Sequence, residues 1–339
     1  MCQRKYIKMI LRAILFLLEV VRMGYRVYVV NPLWNKPKLR KEVQRIYASR
    51  GLPFDRSYFH RIYYHLLLSS VTNMWFSTLR GKRETKKEMI AAAYLGASTP
   101  LYDDLYDESD YNRQDVQRLI TQGNAEGFGI IAALGIEFYQ ELLTYLNRPE
   151  TFADYLERVA IAQDNSKAQV GQTKLSEAAI RKITYDKGGY SIALYRSVLN
   201  HEMKPGEDQA VYDLGCMIQL TNDLFDLRKD YMNGQQTLVT ATDDINKVRK
   251  EYLSLLHKTI ASFKDLEYAY WSQKRFILQL MLIVGRGMVC LDQLARVQEK
   301  YGQFDVSLMQ RSESVCDMEK PINLIRSFWY SVLDPAGLE

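Results

Sequence analysis

Helical periodicity constrains this chain more than any other feature. Apolar residues recur at helical spacing through most of its length, and no clear alternating strand run is present. The single Asn-Gly pair, Asn233–Gly234, follows a helical stretch instead of joining two strands. Turn-forming stretches divide the pattern: NPLWNKPK (31–38), RGLPFDRS (50–57), GKRETKKE (81–88), NRPET (147–151), HEMKPGED (201–208) and MNGQQ (232–236). The segments between them are mostly about 20 residues or longer, against a usual helix mean of about 12. Long helices with short polar connections predict an all-α, single-domain bundle of roughly ten helices around a deep central cavity. The expected organisation is an N-terminal helical arm over residues 1–38, a main domain over 39–315, and a tail over 316–339 that packs on or beside it. No internal repeat, low-complexity segment or interdomain linker is present.

The start of the chain, MCQRKYIKMILRAILFLLEVV, has a basic beginning and an apolar run from Met9 to Val21. Arg12 and Glu19 interrupt that run and Arg22 closes it, which leaves it too short and too charged for an integral membrane span. VRMGYRVYVV is a poor cleavage site for a signal peptide. An amphipathic helix packed on the body or on a partner is the expectation. Basic and acidic residues are interleaved and the net charge is only +5, so no nucleic-acid partner is expected. The four cysteines are isolated and form no CxxC, and only four histidines exist, which argues against zinc. Reduced thiols and a cytoplasmic location are expected. The oligomeric state stays open, a homodimer included.

Two acidic stretches stand out. TPLYDDLYDESDY (99–111) follows the apolar run AAAYLGA and carries Asp103, Asp104 and Asp107. On a helix Asp103 and Asp107 share a face, with Asp104 about 100° away. Stacked carboxylates repel, and acids near a helix C-terminus oppose its dipole. Hard divalent cations offset both terms and take oxygen ligands. In QLTNDLFDLRKDY (219–231), Asn222, Asp226 and Asp230 fall at i, i+4 and i+8, one stripe of one helix, with Asp223 beside the first. Mg2+ completes its shell with water and phosphate oxygens, so two or three protein ligands per ion suffice. The expected arrangement has the two stretches facing each other across a pocket, holding metal ions that bind a diphosphate.

Over roughly residues 85–305 the chain resembles the class I isoprenoid synthases, the trans-prenyltransferases and class I terpene cyclases. DDLYD resembles their first motif, DDxxD. NDLFDLRKD resembles the second in its cyclase form, with Asp226 in the Ser place and Asp230 in the Glu place. The prenyltransferase form also has a counterpart of Gln219. The resemblance implies the isoprenoid synthase fold, three Mg2+ ions as cofactor, and metal ligands at Asp103, Asp104, Asp107, Asn222, Asp226 and Asp230, with Asp223 less firmly implied.

The same resemblance points to residues that handle the diphosphate. YDKGGYS (185–191) suggests a helix break at Gly188–Gly189 with exposed backbone N–H groups, and Lys187 beside it matches a diphosphate-sensing base. Arg228 and Lys229 lie inside the second motif. Lys300–Tyr301 stands where cyclases often carry an Arg-Tyr pair. Trp75, Phe76, Tyr102, Tyr106, Tyr190, Phe225, Gln172 and Gln219 are expected to line the pocket, with Gln163 and Gln169 as further glutamines in the same region. Aromatic walls shield and stabilise an allylic cation.

Chain-elongating enzymes also bind isopentenyl diphosphate through basic segments. ESDYNRQD, after the first motif, lacks the arginine pair they use, and RGKRETKK lacks their N-terminal pattern. The combination of acid pairs and a tyrosine-rich signature that marks head-to-head synthases is not read either. The resemblance therefore implies a cyclase acting on one linear prenyl diphosphate, C15–C25 and geranylgeranyl diphosphate among them, to give a hydrocarbon or alcohol with release of diphosphate. A trans-prenyltransferase and a non-catalytic partner subunit of the same fold are the alternatives. A carboxylate-bridged iron protein would need Glu-x-x-His pairs, which are absent.

Overall fold

The computed structural model describes residues 2–107, 129–171 and 173–333. Among these residues every named element is helical, and a single pair, Val170 and Gln235, bridges in the manner of strands. The all-α expectation holds. Chain contacts fall into two units: an N-terminal one of Val21–Asp154 with Leu194–Glu202, and a C-terminal one of Met1–Val20, Tyr155–Ala193 and Met203–Glu339.

NPLWNKPK does not interrupt the helical arm. Helix α1 (Cys2–Tyr25), a π-helical stretch over Arg26–Val30, and α2 (Asn31–Ser49) follow without a loop. Pro32 lies in the first turn of α2, directly after the π-helical stretch, and Pro37 is carried inside the helix. The arm ends at Gly51 instead, whose φ of 66° is the left-handed conformation that favours glycine.

In the N-terminal unit the central element is α3 (Arg56–Leu79). Asp55 caps it, its carboxylate accepting from the N–H groups of Ser57 at 2.8 Å and Tyr58 at 3.0 Å. Every residue from Thr72 to Leu79 is buried, so the last two turns of α3 are enclosed on all sides. Helix α4 (Lys86–Asp107) lies along it. A Cβ at Gly96 would stand 2.4 Å from the Ser69 Oγ and 2.8 Å from the His65 carbonyl, so glycine is what permits that approach. Helix α5 (Ile130–Leu143) packs on α4, and α2 touches both α3 and α5.

The C-terminal unit is built around α11 (Tyr270–Tyr301), between α10 (Ile245–Asp265) and α13 (Pro321–Val332), with α8 (Glu207–Phe225) against both α10 and α11. Helix α11 is long and apolar enough to cross a membrane, and 67% of its most apolar window is buried inside the protein. The tail is thus partly helical and packed along α11. A short α9 (Leu227–Met232) continues from α8, α6 (Pro149–Ser166) and α7 (Glu177–Ser197) precede it, and α12 (Arg311–Ser314) is a single turn. The glycine pair does not break α7. Gly188 lies inside that helix because α8 crosses there: its Cβ would be 2.3 Å from the Gly215 carbonyl oxygen, and a Cβ at Gly215 would be 2.2 Å from that of Gly188.

Candidate functional site

The first acidic stretch ends α4. Pro100 sits inside that helix and removes one backbone bond just before the aspartates. Asp104 turns towards α3 and is only 3% exposed. Arg61 grips both of its oxygens, Nη1 donating to Oδ2 at 2.8 Å and Nη2 standing 2.6 Å from Oδ1, and the Tyr58 hydroxyl donates to Oδ2 at 2.7 Å. Both oxygens are engaged in a two-pronged pair in which the acid is buried and the Arg61 side chain is 44% exposed. Asp104, expected as an edge ligand, here ties α4 to α3. Asp103 is half-buried on another side. Burial pushes the Tyr195 phenol up to about 12, the hydrogen bond with Thr99 opposes this, and the Asp103 charge adds to it. Tyr102 is half-buried beside Asp103. Tyr106 and Asp107 close α4, but their side chains lie outside the described residues.

The second stretch lies in the C-terminal unit, and its helix is not continuous. Helix α8 stops at Phe225, Asp226 caps it with φ −86° and ψ 3°, and α9 starts at Leu227. Backbone bonds still span the junction, from the Asp226 N–H to the Asn222 carbonyl and from the Asp230 N–H to the Asp226 carbonyl, each 2.8 Å. The expected single stripe is therefore two short stripes meeting at Asp226. Asn222 is exposed and its amide donates to Asp226 Oδ2 at 3.2 Å. Asp223 is buried. Its Oδ1 accepts from Gln219 Nε2 at 2.9 Å, and its Oδ2 is buried with no hydrogen-bond partner. Burial pushes the Asp223 carboxyl up to about 7; Gln219 opposes this, Asp230 adds to it, and the Lys187 charge lowers it. Asp230 is likewise raised to about 6, by burial first and by Asp226 second, with Lys229 and Lys187 pulling the other way. Lys187 on α7 is half-buried and its charge acts on both acids.

Other expected residues have different surroundings. Arg228 is half-buried and Lys229 is exposed, its Nζ 4.0 Å from Asp226 Oδ2. Lys300 and Tyr301 both hold Glu313, at 2.6 and 3.0 Å, in a surface contact that clamps α12 to the end of α11. Trp75 and Phe76 are core residues of α3 in the N-terminal unit. Tyr190 is half-buried, edge-on to Tyr212 with ring centres 5.3 Å apart and with the Arg158 guanidinium 5.7 Å from its ring centre. Phe225 is half-buried at the end of α8. Gln169 is buried and fixes the loop after α9: its amide donates to the Gln236 carbonyl, and its carbonyl accepts from the Gln236 N–H, both at 2.8 Å. Gln163 is half-buried on α6, and Gln172 lies outside the described residues. Two open cavities, about 170 Å³ beside Arg181 and Glu251 and about 410 Å³ beside Trp34 and Lys38, contain none of the acidic-motif residues.

The donor set of the second stretch fits a hard divalent cation. It offers carboxylate oxygens at Asp223, Asp226 and Asp230 and an amide oxygen at Asn222, one carboxylate oxygen lacks any partner, and burial, with repulsion among the acids adding to it, raises two of them. Among the described residues no three His, Cys, Asp or Glu side chains are gathered tightly enough to hold a metal unaided. Phosphate and water oxygens would have to complete the shell. Reasoning from sequence missed Arg61 and Tyr58, since nothing in RSYFHRIYYH marks a partner for an aspartate more than forty residues on.

No protein-family model matches the sequence, and no curated protein matches it. Among solved structures the chain is similar to a dehydrosqualene synthase in complex with ligand, at 15% identity and a TM-score of 0.47, over 81% of this chain and 95% of that one. It is also similar to a polyprenyl synthase from Caulobacter crescentus CB15 complexed with calcium and isoprenyl diphosphate, at 16% identity and a TM-score of 0.39, over 93% and 95% of the two chains. At these scores neither likeness assigns a residue or a reaction to this chain.

Proposed function

We propose that this protein is a Mg2+-dependent class I terpene synthase that ionises one linear prenyl diphosphate and cyclises the resulting allylic cation. The observation that carries the reading is the buried Asp223 Oδ2, left without a partner among Asp226, Asp230 and Asn222 and beside the Lys187 charge. A buried carboxylate oxygen in that state is costly unless a cation joins it. Divalent cations, when bound there, act as Lewis acids on the diphosphate oxygens. The chain's own residues do the rest. Asn222, Asp226 and Asp230 supply ligands, and Gln219 fixes the Asp223 carboxylate through its 2.9 Å bond. Lys187 offers positive charge to the leaving diphosphate. In the first motif Asp103, Asp104 and Asp107 are the ligand candidates, with Asp104 also held by Arg61 and Tyr58.

A second reading has one observation in its favour. Asp103 with Asp107, and Asp226 with Asp230, are each four residues apart, the DxxxD spacing of head-to-head prenyl synthases. The acids alone do not separate that chemistry from cyclisation. Product analysis does. Purified protein with Mg2+ is given geranyl, farnesyl, geranylgeranyl or geranylfarnesyl diphosphate, with and without isopentenyl diphosphate. Diphosphate release is followed and products are identified by gas chromatography–mass spectrometry. A cyclic hydrocarbon or alcohol from a single substrate, lost in Asn222→Ala and Asp103→Ala, is the expected result. A linear product of twice the substrate's carbon number points to head-to-head coupling, and a lengthened diphosphate that requires isopentenyl diphosphate points to elongation. No diphosphate release from any substrate overturns the enzymatic reading for these compounds.

A further inference from the structure

Two cysteines that stand apart in the sequence meet in the C-terminal unit. Cys290 lies on α11 and is 1% exposed. Cys316 lies in the non-helical stretch between α12 and α13 and is 7% exposed, although Val315 and Asp317 on either side of it are exposed. The backbone around Cys316 is pinned from two helices. Gln293 of α11, three residues past Cys290 and on the same face, donates through Nε2 to the Glu313 carbonyl at 2.9 Å and the Val315 carbonyl at 3.1 Å. Asn323 of α13 donates through Nδ2 to the Asp317 carbonyl at 2.8 Å. Held on both sides, the Cys316 thiol comes within hydrogen-bonding reach of Cys290.

The two thiols are unequal. The hydrogen bond with Cys316 first, and burial second, hold the Cys290 thiol well above its ordinary value. The same bond draws Cys316 below its own, with burial and Asp317 opposing and the charges of Arg326 and Lys320 helping. Cys316 is thus the member that more readily forms a thiolate, the form that attacks a disulfide. Cys290 has a second contact. Its Sγ donates to the Leu224 carbonyl at 3.4 Å, in the last turn of α8 between Asp223 and the junction at Asp226. Carbonyls at the end of a helix depend on donors from outside it.

We propose that Cys290 and Cys316 are a dithiol that closes to a disulfide by exchange with a low-molecular-weight disulfide, and that closure withdraws the thiol donor from the end of α8. The Cys316 thiolate attacks one sulfur of the incoming disulfide, and one half leaves as a thiolate. Cys290 passes its proton to that thiolate and attacks the Cys316 sulfur of the mixed disulfide, which expels the other half. Two protein thiols and one small disulfide become one protein disulfide and two small thiols. Cys290 then has no hydrogen to give to Leu224. Cys216, buried on α8 with its Sγ donating to the Tyr185 carbonyl at 3.6 Å, is the comparison. The pairing stands whether or not the chain turns over a prenyl diphosphate.

Oxidation of the full chain with oxidised glutathione tests it. Remaining thiols are capped with iodoacetamide in denaturant, and intact masses and peptide maps are read. The wild type is expected to lose two alkylatable thiols, to carry no glutathione, and to give a Cys290–Cys316 cross-linked peptide that dithiothreitol releases. Cys290→Ser is expected to keep glutathione on Cys316, because the resolving thiol is gone, and Cys316→Ser to leave Cys290 unmodified. Hydrogen exchange then compares oxidised and reduced wild type. Amides over 219–231 should exchange several-fold faster in the oxidised form, with those of α3 unchanged. A wild type that keeps both thiols alkylatable, retains glutathione on Cys316, or links either cysteine to Cys216 overturns the pair. Equal exchange over 219–231 in the two forms overturns the effect on α8.

Discussion

Asp223 and Asp104 look alike in the sequence, each an acid inside an Asp-rich helical stretch. Their neighbours make them opposites. Arg61 comes from a different helix and satisfies Asp104, whereas nothing reaches the Asp223 Oδ2. Partners that fold in from distant segments leave no mark on the local pattern, and for this reason the motifs were legible but the division of labour within them was not. The difference is measurable. The Asp223 carboxyl is raised from 3.8 to about 7, so the folded state holds a proton that the unfolded chain has already lost between those values. Stability therefore falls as pH rises from about 4 to 7, and the full cost is present above that. Asp223→Asn should raise the urea-unfolding free energy at pH 8 by roughly 2–4 kcal/mol and change it little at pH 3.5. A loss of stability at pH 8 would show that the carboxylate has a partner in solution. Glu88 runs the other way. Burial pushes it up, but the two-pronged Arg80 bond and the N–H groups of Thr85 and Asn200 outweigh that and bring it down to about 2. Its contribution is present above pH 4.5 and is lost as pH falls towards 2. Glu88→Gln should cost about 3 kcal/mol at pH 7, and the difference should shrink in acid-denaturation curves below pH 4.

At the scale of elements, the long helices could be read directly from periodicity, and the caps at Asp55 and Gly51 lie in the RGLPFDRS stretch that marks a boundary. Three features ran against local propensity. Pro32 and Pro37 lie within the helical arm instead of ending it, the junction at Asp226 splits the stripe, and Gly188–Gly189 continues α7. Glycine in a helix is ordinarily unfavourable, by about 1 kcal/mol relative to Ala, so the pattern alone points to a break. What reverses it is the crossing helix: α8 brings Gly215 against Gly188 with no room for a side chain on either. Gly188→Ala places its Cβ 2.3 Å from a carbonyl oxygen and 2.5 Å from the Gln219 Cβ, and backbone has little freedom to yield. It should destabilise the protein by about 3 kcal/mol in urea titration. It should also weaken any cation binding at Asp223, because Gln219 holds that carboxylate. Gly135→Ala in α5 is the comparison. Its nearest neighbour would be Leu105 Cδ1 at 4.0 Å, so the helix gain of up to about 1 kcal/mol should appear unopposed. Equal effects at the two positions would mean that the α7–α8 crossing is looser than the geometry states.

For the whole molecule the question is whether metal belongs to the fold or to the ligand. Each unit has its own apolar centre, α3 in one and α11 in the other, held by contacts within the protein, the Asp104–Arg61 pair between α4 and α3 among them. Chelation of divalent cations should therefore leave the helical circular-dichroism signal and the melting temperature unchanged within a degree or so, while abolishing diphosphate release. Adding Mg2+ alone should have a modest effect, since the second stretch supplies only part of a coordination shell. Mg2+ together with inorganic pyrophosphate, which supplies the missing oxygens, should stabilise by mass action, about 2.7 kcal/mol at a hundredfold excess over the dissociation constant. For a chain of this length that is a rise of roughly 4 °C. Asp226→Ala should remove most of it. The arms separate the components: a rise with pyrophosphate alone would assign binding to the basic residues near Lys187, whereas a rise that needs both and vanishes in Asp226→Ala is what a bridging cation requires. No shift under any of these conditions would mean that the unpartnered oxygen of Asp223 serves something other than a metal–diphosphate complex.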